Sequence, residues 1–179
     1  YLKLDEDLPE AVQVISLAED SIPVKSAILM DQQSGRVLFE QNADELLAPA
    51  SITKGMTLLL VVEALEEGKI TLEDKVVCSE LAASMGGSQI WLEPGEEMTV
   101  VELLRAVSIA SANDASVALA EHVAGSEPAF IDRMNKRATQ LGMQNTHFYN
   151  CTGLDEEGHL TTARDVALAS RELISHPII

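Results

Sequence analysis

Apolar residues fall in a few dense blocks along this chain, separated by polar spacers rich in glycine and proline, and the blocks are of two kinds. The short ones, "AILM" at 27–30 and "VLF" at 37–39, flank the turn residues Gln33, Ser34 and Gly35 and predict a β-hairpin. Two strands alone are marginal in water, so this hairpin needs other structure against it. The longer blocks predict helices. Met56 to Val62 is apolar with no polar stripe, the pattern of a helix surrounded by protein, and Gly68 suits a left-handed residue at its end. Thr99 and Glu102 have the spacing of a capping box ahead of "VELLRAVSIA". "NDASVALAEHVAG" predicts another helix, ending at Gly125. Ser126 can cap "EPAFIDRMNKRATQLG", and Thr162 can cap "ARDVALASRELIS" before Pro177. "SMGGSQIWLEPGEEMTV" reads as loop and turn. The layout is a mostly polar arm, a hairpin and about five helices, with no internal repeat and no linker.

Composition sharpens this picture. With 179 residues, 46% of them hydrophobic, the chain can bury one substantial core. Only 3% are aromatic, so aliphatic side chains and alanine must fill that core, which favours close-packed helices. A formal charge of −17 with 12 basic residues argues against a nucleic-acid or anionic-membrane partner. The acidic runs "EALEE", "EPGEE" and "LDEEG" are expected on the solvated surface. The longest apolar run, "LLLVV", is too short to cross a bilayer, so no membrane segment is expected. The opening "YLKLDEDLPE" has no initiator methionine and no basic, apolar leader, which suggests a targeting segment removed or never included. Cys78 and Cys151 lack CxxC spacing. Two buried free thiols are the simpler reading and one disulfide is the alternative. His122, His147, His159 and His176 show no metal-ligand spacing, and neither a metal nor another cofactor is expected.

The candidate chemistry begins with Ser51 and Lys54 in "APASITKGMT". Residues three apart on a helix are neighbours, so the amine can reach the hydroxyl. A serine in the first helical turn also sits at the positive end of the helix dipole, beside N–H groups without intrahelical partners. The amine acts as a base only when neutral, and burial against the apolar block lowers a lysine pKa from about 10.4. An SxxK pattern arises about once by chance in a chain this long. Its position after Pro49, at the start of the apolar helix, is what raises it. A second stretch, Ser111-Ala112-Asn113, lies between two predicted helices. There its polar side chains either point into a cleft or simply cap the next helix.

Together these stretches resemble the penicillin-recognising serine enzymes, and among them the D-alanyl-D-alanine carboxypeptidases. "PASITKGMT", "MGGSQIWLEPGEEMTVVELL", "SANDASVALAE", "MNKRATQLGMQNTHFYNCTGLD" and "TTARDVALASREL" are similar to that family's consecutive segments, from about residue 24 onward. The resemblance implies an α+β fold of the β-lactamase/DD-peptidase type: helices clustered about a buried central helix, an N-terminal hairpin and an incomplete central sheet. It divides the chain into an arm over 1–22 and a truncated catalytic domain over 23–179. It makes Ser51 the acylated nucleophile and Lys54 its general base. Ser111 becomes a proton relay toward the leaving amine, and Asn113 a ligand of the substrate's peptide carbonyl or a support for Lys54. The Ser51 N–H would be one oxyanion donor. Implied partners are peptidoglycan stem peptides and β-lactams, and the implied location is the bacterial envelope outside the cytoplasm.

The family's third motif, a basic residue followed by Thr or Ser and then Gly, is not found. "CTG" at 151–153 puts cysteine where the cation belongs and falls inside a different family segment, so it is rejected as that motif. Low or absent activity is therefore expected of this chain, and the exposed hairpin edge is expected to pair with another copy or with a missing fragment. A β-lactamase is disfavoured by Ala112, which stands where class A enzymes place aspartate, and by the absence of an "ExxLN" stretch. A non-catalytic peptidoglycan-binding scaffold is disfavoured by the joint presence of Ser51 and Lys54.

Overall fold

The computed structural model describes residues 22–178. The arm expected over 1–22 therefore lies, apart from Ile22, outside the described residues. Strands β1 (Ala27–Met30) and β2 (Val37–Gln41) form the predicted antiparallel hairpin, with Leu29 opposite Phe39 and a register shift after it. No third strand joins this sheet among the described residues, so both outer edges are open, the feature on which the expected pairing rests. Six α-helices follow: α1 (Lys54–Glu66), α2 (Glu80–Ala83), α3 (Val100–Ala110), α4 (Asn113–Ala124), α5 (Glu127–Leu141) and α6 (Ala163–Leu173). A second two-stranded sheet pairs β3 (Lys75–Val77) with β4 (Glu97–Thr99). The reading of 84–100 as loop throughout is corrected by β4, which ends that stretch.

Two helices share the interior. In α1, Met56, Leu59, Val61, Val62 and Ala64 are buried, as its apolar block predicts. The more enclosed element is α4, in which every residue from Asn113 to Ala120 is buried. Ala115, Ser116, Ala118 and Ala120 are small enough to let α1, α2, α3, α5 and β3 approach closely. Phe130 and Met134 of α5 and Leu103 and Val107 of α3 complete this core. No described helix is long and apolar enough to cross a membrane.

The predicted caps are present. Thr99 and Glu102 form a reciprocal capping box on α3, Ser126 accepts from the Ala129 N–H, and Thr162 accepts from the Asp165 N–H. Glu66 and Glu67, Glu96 and Glu97, and Asp155 to Glu157 lie at or near the surface. Cys78 and Cys151 are both free and both buried.

The last helix returns to the first strands. Arg171 of α6 donates to the carbonyls of Gln32 and Gln33 in the hairpin turn (2.7 and 2.9 Å). Arg164 pairs with Asp44 and Glu40 (2.8 and 2.7 Å). Arg137 of α5 joins Glu63 of α1 to Glu172 of α6 through contacts of 2.6 Å to each. His176 lies near the same two carboxylates, with candidate ligand atoms within 4.8 Å of one another, and Arg137 already bridges both of them.

Candidate active site

Ser51 and Lys54 meet through a change of helix type. After Pro49, residues Ala50–Thr53 make one turn of 3₁₀ helix, and α1 begins only at Lys54. Ser51 thus precedes the long helix, which corrects the expectation that it occupies that helix's first turn. The tighter turn has a geometric benefit: in a 3₁₀ helix residues i and i+3 eclipse, so Lys54 stacks over Ser51. Lys54 Nζ lies 3.1 Å from Ser51 Oγ and donates to the Thr152 carbonyl at 2.7 Å. Ser51 is exposed, whereas Lys54 is only 3% exposed. Loss of hydration pushes the Lys54 ammonium below the usual lysine range, a shift that the neighbouring Cys151 thiol would oppose only as a thiolate. That thiol is itself raised well above its ordinary value, first by burial and then by Glu127. It therefore stays protonated and adds no charge beside the amine.

The segment 150–153 is part of this site, although it lies far away in sequence. The Asn150 amide oxygen accepts from the N–H of Thr152, the hydroxyl of Thr152 and the N–H of Gly153 (3.2, 3.1 and 2.7 Å). Gly153 has φ +88, and a Cβ there would stand 1.8 Å from the Ala50 carbonyl oxygen. Only glycine allows this backbone to lie against the turn that carries Ser51. "CTG" thus supplies a carbonyl, where the third motif of the family would supply a cation. Thr57 Oγ1 donates to the Cys151 carbonyl at 2.7 Å and fixes the same strand of chain to α1.

His159 closes the segment from its other end. Its Nδ1 accepts from the Tyr149 N–H at 3.0 Å, which leaves the proton on Nε2, 2.8 Å from Thr53 Oγ1. The ring is 3% exposed, and burial lowers its pKa from the ordinary value. A cavity of about 460 Å³ opens beside this turn, between Pro49, Ala50 and Gly153 on one side and the carboxylates of Asp155, Glu156 and Glu157 on the other.

The second predicted stretch forms the corner between α3 and α4. Ser111 ends α3 in the left-handed region (φ +55), and its Oγ is buried without a hydrogen-bond partner. Asn113 is the first residue of α4. It donates from Nδ2 to the Gly86 carbonyl (2.6 Å) and from its N–H to the Ser88 carbonyl (2.7 Å). Neither side chain caps α4, whose N-cap is Ala112. Among the described residues neither hydrogen-bonds to Ser51 or Lys54, and Asn113 supports the 86–88 loop. Asp114, fully buried, accepts from the N–H groups of Ile90, Leu92 and Ala115 (3.1, 3.1 and 2.9 Å) and rivets the rest of that loop to α4.

Sequence reasoning singled out Ser51, Lys54, Ser111 and Asn113 and did not single out Asn150, Thr152, His159 or Asp114, which the structure places around them. One of these carried a readable signal: Asn followed two and three residues later by Thr and Gly is the pattern of an Asx turn.

A model of the D-alanyl-D-alanine carboxypeptidase family matches residues 13–178. The chain is 57% identical over 155 residues to D-alanyl-D-alanine carboxypeptidase DacF of Bacillus subtilis, covering 87% of this chain and 40% of that protein. It superposes on the crystal structure of DacD from Francisella tularensis with a TM-score of 0.86 at 36% identity, over 96% of this chain and 40% of that one. Penicillin binding protein 5 from Haemophilus influenzae gives a TM-score of 0.85 at 38% identity, over 89% of this chain and 47% of that one. The chain thus spans about 40% of the length of the curated relative.

Proposed function

Because the chain belongs to the D-alanyl-D-alanine carboxypeptidase family, we propose that it carries the nucleophile-bearing part of a serine DD-carboxypeptidase acting on peptidoglycan stem peptides. The observation that carries this reading is a buried lysine amine 3.1 Å from the hydroxyl of an exposed serine. Lys54 takes the Ser51 proton as Oγ forms a bond to the carbonyl carbon of the penultimate D-alanine. The bond from that carbon to the terminal D-alanine nitrogen then breaks, and the proton passes through Ser111 to the leaving amine. Water cleaves the resulting ester and restores Ser51. Desolvation of Lys54 supports its role as base, since it favours the neutral amine. The unpartnered Ser111 hydroxyl supports the relay, because its hydrogen-bonding capacity is not committed to another group among the described residues.

A β-lactam would enter the same path and remain as a slow ester, a reading supported by the likeness to a penicillin binding protein. The site of action follows from the substrate: peptidoglycan stem peptides lie outside the cytoplasm. The sequence holds no basic residue followed by Thr or Ser and then Gly, so turnover by this chain should be weak. By the family resemblance that motif would also supply the second oxyanion donor, and loss of one such donor costs about 10²- to 10³-fold in rate. Nothing in the geometry favours the scaffold or the β-lactamase reading.

Incubation with benzylpenicillin followed by intact-protein mass spectrometry tests the proposal. One adduct is expected on the wild type and none on Ser51→Ala, with Lys54→Met slowed by roughly 10³-fold. A wild type that stays unmodified, or an adduct on Ser51→Ala, rejects it.

A further inference from the structure

Among the described residues Asn150 hydrogen-bonds to neither Ser51 nor Lys54, yet its amide holds the peptide unit whose carbonyl meets the amine. The N–H of Gly153 and the carbonyl of Thr152 belong to the same planar peptide, so they point in opposite directions. Asn150 Oδ1 accepts from that N–H at 2.7 Å, and Lys54 Nζ donates to that carbonyl at 2.7 Å. The peptide is thus held from both ends. Two more donors on the same Oδ1, from Thr152 N and Oγ1, and a bond from Asn150 Nδ2 to the Leu154 carbonyl (2.9 Å), fix the amide itself. We infer that Asn150 is a positioning residue: acting through the Thr152–Gly153 peptide, it aims the Thr152 carbonyl at Lys54 and so turns the amine toward Ser51. This rests on the reading of Ser51 and Lys54 given above.

The reason is the tetrahedral shape of a neutral amine. With one N–H committed to Thr152, the lone pair is left to accept the Ser51 proton. Without that commitment the amine rotates, and the lone pair faces Ser51 only part of the time. The ionisable group facing Lys54 is the Cys151 thiol, with Glu127 behind it at 3.4 Å from Sγ.

Two substitutions separate positioning from simple support. Asn150→Ala removes the acceptor and frees the peptide, so the Lys54 ammonium loses its carbonyl partner. Asn150→Asp keeps an acceptor for Gly153 and brings a negative charge toward the amine. Titration of the Lys54 side chain by ¹³Cε NMR should therefore show shifts of opposite sign: downward in Asn150→Ala and upward in Asn150→Asp. In benzylpenicillin acylation, Asn150→Ala should slow the covalent step by about 10-fold or more while the preceding dissociation constant stays within about twofold. Asn150→Asp should recover much of that rate above the raised Lys54 pKa. Identical Lys54 titrations in all three proteins, or shifts of the same sign, overturn the inference. Opposite shifts in a protein whose wild type is never acylated would keep Asn150 as the positioner and reject the carboxypeptidase reading instead.

Discussion

A single methyl group at Gly153 would collide with the turn that carries Ser51. The main chain there lies so close to Ala50 that an added Cβ falls 1.8 Å from its carbonyl oxygen, and the φ of +88 disfavours any other residue. Gly153→Ala should cost about 3 kcal/mol, roughly 6–12 °C in melting temperature for a chain of this size. It should also abolish acylation by moving Ser51. A thermal melt matching wild type would show that the contact gives way. At this scale the sequence disclosed half of the site. Ser51 and Lys54 were legible because their relation is local, one turn of helix. The Thr152 carbonyl and the His159 ring reach the same turn across separations of 98 and 106 residues. A main-chain carbonyl, moreover, leaves no signature in residue identity, and His159 could be seen only as a histidine without metal spacing.

Among the elements, the corner between α3 and α4 holds the 86–92 loop, and Asp114 is central to that hold. It presents two oxygens to three backbone donors in a fully buried position. Asn at this position keeps one acceptor oxygen and turns an amide NH₂ toward those donors. Asp114→Asn should therefore destabilise by about 2–3 kcal/mol. Amide exchange at Ile90 and Leu92 should speed up well before that of α4, and equal protection in both proteins would refute the riveting role. Helix boundaries were readable because caps are local chemistry: Thr99 with Glu102, Ser126 and Thr162 each act within three residues. The β3–β4 sheet was not. Its strands Lys75–Val77 and Glu97–Thr99 are three residues each, and the long stretch between them carries α2 and an irregular loop in place of a hairpin turn. The prominence of α4 was hidden for a related reason. Its small residues earn burial through what packs on them, a property that periodicity alone does not express.

The whole molecule joins a strongly acidic surface to an interior that holds one neutral imidazole, and its stability should follow pH accordingly. His159 has a depressed pKa in the fold and about 6.5 when unfolded. Its contribution is complete above about pH 6.5 and is lost as pH falls toward the folded value, because the unfolded chain then binds the proton more readily. Relief of repulsion among the surface carboxylates acts in the opposite direction, so the comparison needed is with His159→Gln, which keeps a donor for Thr53. Wild type should lose stability relative to His159→Gln as urea unfolding is repeated from pH 7 to pH 5, and parallel curves would contradict the assignment. The ties between α6 and the hairpin have a further consequence, one of timing. Arg164 and Arg171 grip residues that precede them by 120 to 139 positions. On a ribosome adding ~5–20 residues per second, the opening strands emerge roughly 10 s before the helix that secures them. For that interval the newborn N-terminal segment has no permanent home, and it is then that a holdase would find it.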